Sequence, residues 1–354
     1  MDIYVMDGVN GIIGLIDTYN SVIWNVQYFG KNDFQLVTAA NDANMDLLQE
    51  GRLLVRESDI KLDSYNNVML IEKVQIDLDS EKGWLLTVTG KGLKNLLSRR
   101  VVWSQITSTG TVETTIRQAI TDNAINPTDP NRAIPNLVLD SLQGFTDTAN
   151  IQLLGENLAE WLESICTTYG YGWDIYIKNH QFVFKLYQGT DRSYNQSSVV
   201  PVVFSPEYDN LLSSSYSYDK SGYINAALIG GEGQGTAKRT ASIGTASGLA
   251  RFETYVDGSS VSSNGGIITV EEYTALLQSY GKEQIAVSQI TKSFDGEVIP
   301  DGLYKLNTDY FLGDIVQIQN EKGISATPRI IEIIYADDEN GTSVVPTFSE
   351  WEVD

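Results

Sequence analysis

Short runs in which apolar and polar residues alternate constrain the fold of this chain more than any other feature of its sequence. One run covers residues 22–28 and resumes over 34–38, after a Gly-Lys-Asn-Asp turn at 30–33. A period of two places alternate side chains on one face of a strand, and the turn residues tolerate positive φ. Further runs of this kind occur at 52–56, 68–78 and 84–89. Closely spaced strands with such turns predict a β-barrel.

The middle of the chain changes from a strand period to a helix period and back. Apolar residues recur every three or four positions in two segments, and strict alternation returns in a third. These patterns predict two helices and a hairpin, at 112–120, 158–169 and 173–186. Gly170 follows the second helix, where a left-handed cap would end it. We therefore expect a small α+β domain over residues 107–200.

The last third of the chain returns to strands around a long excursion at about 230–300. Gly, Ser and Thr dominate its first part, which predicts long loops around a few short strands. Thr269 and Glu272 have the spacing of a capping box, so a helix is expected to begin there and to run towards Ile290. Only short strands are expected from Tyr304 to Asp354.

Two pairs of segments echo each other along the chain. Each member of the first pair has a glycine, a charged residue and two apolar residues, and each member of the second runs to an acidic, glycine-containing turn. The matched segments are 51–55 with 313–317 and 70–74 with 330–334. Their common order and similar separations favour a duplication. The predicted fold class is therefore mainly β, with two related β-barrel domains at 1–106 and 201–354 on either side of the α+β domain.

The charge of the chain argues against several partners. The formal net charge is -22, from 24 Lys and Arg against 46 Asp and Glu. A protein that grips nucleic acid needs clustered cations, so stable nucleic-acid binding is not expected, and an anionic membrane surface is disfavoured for the same reason. No apolar run reaches the length of a membrane span, and Asp2 and Asp7 interrupt any secretory signal. With Cys166 as the single cysteine, a reducing cytoplasm suits the chain.

No residue pattern points firmly to chemistry, so we predict no catalytic, cofactor-binding or metal-ligating residues. His180 is placed in a hairpin turn and Cys166 on the apolar stripe of a helix, and neither forms a recognisable catalytic set. Glu232 stands in a Gly-rich segment without the lysine of a phosphate loop. The acidic turns at 77–81 and 337–341 lack the spacing of a calcium loop.

A carbohydrate-related function stays open as the alternative. The 46 acidic residues offer many carboxylate pairs of the kind that cleave glycosides, and exposed aromatic residues can stack on sugars. Trp24 and Trp161 fit apolar faces and are assigned to cores, whereas Trp84, Trp103 and Trp351 are not placed by the sequence. The chain could on this view be a carbohydrate-binding or glycan-cleaving receptor-recognition protein.

Five segments carry a resemblance to a known family. They are 90–93 followed by 98–100, the Gly-Gly-Glu-Gly segment 230–233, and 310–316 followed by 328–330. Together they resemble the tail-tip hub family of siphophages, and the similarity extends to prophage and tailocin baseplate hub proteins. These motifs are turns and strands, and the resemblance covers essentially the whole chain.

The resemblance implies a trimer whose six β-barrels form a pseudo-hexameric hub ring under the tail tube, with the α+β domains outside it. Such a hub connects the tube and the distal tail protein ring to tip or fibre proteins, meets the tape measure protein and lets DNA pass. It implies a virion protein made in the cytoplasm of the bacterial host. Many relatives carry a C-terminal hydrolase or receptor-binding extension, whereas this sequence stops at Asp354, so a non-enzymatic hub is expected. Acidic residues facing the bore would keep DNA from sticking.

Overall fold

The computed structural model describes residues 1–288, 290–298, 302–320, 322 and 325–349. Strands account for 39% of the chain and helices for 23%, so the mainly β fold class is confirmed. No helix in the described ranges is both long and apolar enough to cross a membrane. The predicted strands beyond residue 349, together with Trp351, lie outside the described residues.

The first region consists of antiparallel strands and one short helix. Its elements are β1 (Ile3–Met6), β2 (Ile12–Ile16), β3 (Ser21–Gln27), β4 (Asp33–Ala39), α1 (Asp42–Leu47), β5 (Leu53–Arg56), β6 (Ile60–Lys61), β7 (Ser64–Tyr65), β8 (Met69–Asp79) and β9 (Gly83–Gly92). The predicted hairpin is confirmed, since β3 and β4 pair from Ser21 opposite Val37 to Asn25 opposite Asp33. The Asn32 side chain closes the turn by accepting a hydrogen bond from the Gln27 backbone amide at 2.9 Å.

The middle region contains the two predicted helices and the predicted hairpin. Its elements are β10 (Ile106–Ser108), α2 (Val112–Ile120), β11 (Leu137–Leu139), β12 (Ile151–Leu153), α3 (Leu158–Tyr169), β13 (Gly172–Lys178) and β14 (Gln181–Tyr187). Helix α2 passes into a π-helical turn over Thr121–Ile125, which ends before Pro127. Helix α3 ends at Gly170 in the expected left-handed conformation, with φ 70° and ψ 25°. The short strand β7 pairs with β13, which links the first region to this sheet.

The last region holds the second set of long strands and a separate small subdomain. Its elements are β15 (Asp191–Arg192), β16 (Val203–Phe204), β17 (Leu211–Asp219), β18 (Ala226–Gly230), β19 (Thr240–Ile243), β20 (Glu253–Asp257), α4 (Val270–Ile285), β21 (Thr291–Val298), β22 (Ile315–Gln319), β23 (Ser325–Ala326), β24 (Ile330–Asp338) and β25 (Gly341–Phe348). Short 3-10 helices add Gly8–Asn10, Glu57–Asp59, Leu93–Arg99, Pro130–Arg132, Pro206–Tyr208, Gly235–Ala237, Gly248–Ala250 and Asn264–Gly266. The domain boundaries drawn from the sequence stay predictions.

The excursion between β17 and β21 is more regular than its composition predicts. Strands β18, β19 and β20 form a sheet that packs on α4. Ile229 and Val256 are buried there against Leu277 because they alternate with exposed residues. The capping box is confirmed, but α4 ends at Ile285 and does not reach Ile290. The amide of Ala286 bonds to the carbonyl of Glu283, a tighter bond that closes the last turn.

One sheet of eleven strands unites both ends of the chain. The strand order is β17-β21-β25-β24-β3-β4-β9-β8-β5-β1-β2. The two predicted β units are therefore joined edge to edge, through β24 and β3, in a single curled sheet. One face of the early part of the sheet covers a core that includes Trp24, Leu36 and Val88. The opposite face is open to solvent.

The two β units are copies of the same strand arrangement. Block A is β3, β4, β5, β8 and β9, and block B is β17, β21, β22, β24 and β25. In block A the amide of Gly51 bonds to the carbonyl of Ile71 at 3.0 Å, and the amide of Ile71 bonds to the carbonyl of Arg52. In block B the same two bonds join Gly313 and Asp314 to Ile330.

A shared irregularity strengthens the equivalence of the blocks. The ladder of β8 with β9 has a bulge between Ile71 and Lys73, and that of β24 with β25 has one between Ile330 and Glu332. Each hairpin then continues through seven residue pairs to an acidic turn. A β-bulge fixes strand register, so matching bulges are strong evidence that Lys73 and Glu332 are equivalent positions.

The equivalent residues Gly51 and Gly313 are packed differently in the two blocks. Both have positive φ, 84° and 97°, but a Cβ on Gly313 would lie 2.1 Å from the ring of Tyr28, whereas one on Gly51 meets nothing within 4 Å. We expect Gly51→Ala to lower the free energy of unfolding by about 1 kcal/mol through backbone strain, and Gly313→Ala by about 3 kcal/mol or more. Denaturant unfolding measures both. Equal losses would contradict the crowding of Gly313 by Tyr28.

Candidate assembly interface

The seam between the blocks shows how two copies of this strand arrangement join. Strand β24 pairs antiparallel with β3 over seven residue pairs, from Glu332 opposite Gln27 to Asp338 opposite Ser21. The Glu332 carboxylate accepts hydrogen bonds from the side-chain amides of Asn25 at 2.6 Å and Gln27 at 3.1 Å. On the other face of the sheet, Ile333 lies opposite Val26. We call this pairing the internal seam.

Block A presents the equivalent of β24 without its partner strand. In the described part of the chain, β5 is the only strand beside β8 on the side away from β9, and it pairs only with Met69 and Leu70. Residues 73–79 of β8 therefore form an open edge. Val74 is 40% exposed and Ile76 is 47% exposed, although they lie opposite the buried Val88 and Leu86. An apolar, exposed strand edge of this kind is a template for another strand.

Block B presents the equivalent of β3 at the other end of the sheet. Strand β17 is the terminal strand in that direction and pairs with β21. Tyr216 is 38% exposed and Tyr218 is 51% exposed. The open edge of β8 thus corresponds to β24 of the internal seam, and the open edge of β17 corresponds to β3. Strands β5, β1 and β2 continue the sheet beyond the first residues of β8.

The solvent-facing side of the shared sheet is predominantly acidic. Among the residues whose side chains the structure describes, alternation places six carboxylates on this face, those of Asp33, Asp77, Asp79, Asp219, Glu332 and Asp338. Two cations, Lys73 and Lys91, share the face, and the ammonium group of Lys91 lies 3.1 Å from the Asp33 carboxylate. The face repels polyanions.

Cys166 and His180, the single cysteine and the single histidine, do not form a catalytic set in the structure. His180 lies in the turn between β13 and β14 with φ 60°, and its Nδ1 is 2.8 Å from the carbonyl oxygen of Val9. Cys166 is completely buried on α3, and burial raises the pKa of its thiol well above its ordinary value. A buried, protonated thiol fills space and is a poor nucleophile.

The polar motifs of the sequence stabilise loops. The Glu232 carboxylate accepts hydrogen bonds from the amide and the hydroxyl of Ser263, at 2.8 and 2.6 Å, and these bonds lower its pKa. Asp79 accepts bonds from the amides of Glu81 and Lys82, both at 2.8 Å, which tie its hairpin turn. Among the described residues, no cluster of three His, Cys, Asp or Glu side chains is arranged to hold a metal ion.

A cleft between α3 and α4 holds a strongly perturbed carboxyl group. The cleft has a volume of about 320 Å³ and is lined by residues that include Glu156, Trp161, Ser164 and Glu283. Burial and the nearby Glu156 carboxylate raise the pKa of Glu283 to about 7. The Glu156 carboxylate accepts a hydrogen bond from the Leu154 amide at 2.6 Å. Two neighbouring carboxyl groups in different environments can act as an acid and base pair. They also occur in buried contacts between structural units, where they have no catalytic role.

Glu283 makes the α3–α4 contact sensitive to pH. Its pKa is raised in the folded state, so its contribution to stability is complete below about pH 4.5 and is lost as the pH rises through about 7. We expect the wild-type protein to lose about 1–3 kcal/mol between pH 5 and pH 8 relative to Glu283→Gln, which stays neutral. Denaturant unfolding of both proteins at the two pH values measures this. Identical pH dependence would contradict the assignment.

The tryptophans divide between cores and surface. Trp24 and Trp161 are buried, as the apolar patterns predict. Trp84 and Trp103 are more than half exposed. Trp84 lies opposite Leu78 near the tip of the β8–β9 hairpin, and the guanidinium of Arg132 lies 4.0 Å from the Trp103 ring centre.

Lys94 is a buried cation that the sequence does not reveal. Its ammonium group donates hydrogen bonds to the carbonyls of Gln27 and Gly30, at 2.5 and 2.9 Å, and lies 5.1 Å from the Trp173 ring centre. Burial lowers the pKa of Lys94 to about 8. The contact ties the β3–β4 turn to the middle region. The sequence does not reveal this site because the partners of Lys94 are backbone carbonyls, which a pattern of side chains does not show.

The described part of the chain is thus a duplicated β block, joined through one seam and open at the matching edges. The family model of the Siphovirus ReqiPepy6 Gp37-like protein matches residues 2–348. The chain belongs to this family. No curated protein sequence matches it.

Solved structures of phage tail proteins share its fold. The tail protein from Neisseria meningitidis MC58 is 16% identical, with a TM-score of 0.58 over 98% of this chain and 96% of that chain. The 43 kDa tail protein of prophage MuSo2 from Shewanella oneidensis is 13% identical, with a TM-score of 0.59 over 99% and 98%. Prophage tail protein gp18 from Listeria monocytogenes EGD-e is 13% identical, with a TM-score of 0.54 over 98% and 94%. The family match over residues 2–348, together with this shared fold, confirms the resemblance to a phage tail-tip protein family.

Proposed function

We propose that three copies of this chain close into a pseudo-hexameric hub ring at the tip of a phage tail. The observation that carries the proposal is the internal seam between two equivalent blocks, together with the open edges of β8 and β17. A contact that joins block B to block A within one chain is repeated between chains in a closed cyclic assembly. Such repetition leaves no strand edge of the ring unpaired.

The width of the ring favours three copies. Each chain contributes eight strands to the repeating belt, from β17 to β8, so three copies supply twenty-four. With strands about 4.8 Å apart, an untilted ring of this size is about 37 Å across, and facing side chains fill about 10 Å of it. About 27 Å remains, which admits a DNA duplex, whereas two copies would leave only about 14 Å.

The acidic face of the sheet suits a DNA passage when it lines the bore. The six carboxylates on this face outnumber the two lysines, and Lys91 is already paired with Asp33. DNA phosphates would not bind this face, because its described part has no row of cations that would displace their counterions. DNA would therefore pass without stable binding.

The remaining parts of the proposal follow the family resemblance. The ring joins the tail tube and the distal tail protein ring to tip or fibre proteins, and it contacts the tape measure protein. The middle region 107–200 and the subdomain formed by β18–β20 and α4 lie outside the belt of strands. The role is non-enzymatic, and the protein is a virion component made in the cytoplasm of the bacterial host. The division into domains at 1–106, 107–200 and 201–354 is part of this proposal.

An apolar edge residue provides the test of ring formation. Ile76→Lys places a charge on the open edge of β8, and we expect it to lower the ring fraction about tenfold, because an inward charge blocks strand pairing. Leu228→Lys is the control, since Leu228 is 48% exposed on β18, away from both edges. Mass photometry and negative-stain microscopy of the full chain measure the outcome, with and without a distal tail ring protein. Only monomers in every condition, or rings of Ile76→Lys as abundant as those of the control, would contradict the proposal.

A glycan-cleaving function is the second candidate, and the Glu156–Glu283 cleft is the observation that favours it. Its carboxyl groups would act as the acid and base of glycoside hydrolysis. Release of reducing sugar from peptidoglycan or capsule separates the two functions. The hub proposal predicts no release by the wild-type protein. Release that is lost in Glu283→Gln would instead establish the enzyme.

A further inference from the structure

We infer that β8 of one chain pairs antiparallel with β17 of the next in one defined register, with Lys73 opposite Asp219. This inference rests on the proposed ring and specifies its contact. The partner is a second copy of this chain, because the internal seam already shows the two matching surfaces joined.

The register follows from the pairings within each block. Glu332 of the internal seam corresponds to Lys73, since each is the first paired residue after the bulge. Their hairpin partners are Thr347 and Thr89, so these also correspond.

The next two strands carry the equivalence to the opposite edge. Thr89 pairs with Gln35, which pairs with Ile23 on β3. Thr347 pairs with Asp295, which pairs with Ser215 on β17. Ile23 and Ser215 are therefore equivalent positions. Four residues further along, Gln27 corresponds to Asp219.

The internal seam then fixes each contact between chains. Because Glu332 lies opposite Gln27, Lys73 lies opposite Asp219 in the next chain. Continuing along both strands places Val74 opposite Tyr218, Gln75 opposite Ser217 and Ile76 opposite Tyr216.

The side chains in this register are complementary, although the register was derived from backbone pairing alone. Lys73 and Asp219 are opposite charges at directly facing positions, a favourable cross-strand pair. Val74 and Ile76 face the rings of Tyr218 and Tyr216, and aromatic residues opposite β-branched ones stabilise antiparallel sheets. The internal seam places Ile333 opposite Val26 and Tyr335 opposite Trp24 at the corresponding positions. A shift by one residue would turn these apolar side chains to opposite faces.

A disulfide trap reads the register directly. Gln75→Cys with Ser217→Cys brings two thiols to facing positions, whereas Gln75→Cys with Ser215→Cys sets them on a diagonal about 7–8 Å apart. A disulfide requires Cβ atoms about 3.5–4.5 Å apart, so only the first variant is expected to give covalent dimers and trimers under oxidation. The native Cys166 is buried and does not compete.

A charge exchange tests the same register without cysteines. Lys73→Glu and Asp219→Lys each create a like-charged pair, and we expect each to weaken association roughly fivefold per seam. The double variant Lys73→Glu with Asp219→Lys is expected to recover wild-type association. Mass photometry across a concentration series measures all four proteins.

The two tests separate the register from the ring. Trimers that form normally while the diagonal pair cross-links, or while neither pair does, would overturn the register and leave the ring intact. Failure of the double variant to recover would also overturn the Lys73–Asp219 contact. Absence of any oligomer in the wild-type protein would instead overturn the proposed function.

Discussion

The backbone edge of a β-strand must find hydrogen-bond partners, and this requirement organises the whole molecule. Strand β24, close to the end of the described chain, meets it by pairing with β3, about 300 residues earlier in the sequence. The pairing joins both β units into one sheet and one continuous face. The proposed ring depends on this seam, because the seam joins two strands whose equivalents in the other block are the open edges of β8 and β17.

Around the seam, a small set of buried polar contacts holds the middle region against both blocks. The Tyr28 hydroxyl donates to the carbonyl of Gly170 and accepts a bond from the amide of Gly189, both at 3.1 Å. Its ring packs against Gly313 and lies 5.4 Å from the Arg329 guanidinium, so it touches block B as well. Together with Lys94, which bonds to the β3–β4 turn, Tyr28 ties the middle region to the sheet.

Local patterns predicted much of the secondary structure and even the duplication. The β3–β4 hairpin, the Gly170 cap and the capping box at Thr269 are determined by neighbouring residues, so the sequence shows them directly. The joining of the blocks was not predictable in the same way, since pairing across 300 residues depends on tertiary geometry. Alternation along β8 shows that Val74 and Ile76 are suited to burial, but it does not show which chain buries them. Lys94 escaped prediction because its partners are backbone carbonyls.

The most direct test is the structure of the assembled particle by electron cryomicroscopy. The account predicts a threefold ring in which twenty-four strands run without a break, with β8 of each chain beside β17 of the next and the acidic face towards the axis. An assembly of a different symmetry, or a ring whose chains meet through the middle region and leave β8 and β17 exposed, would contradict it.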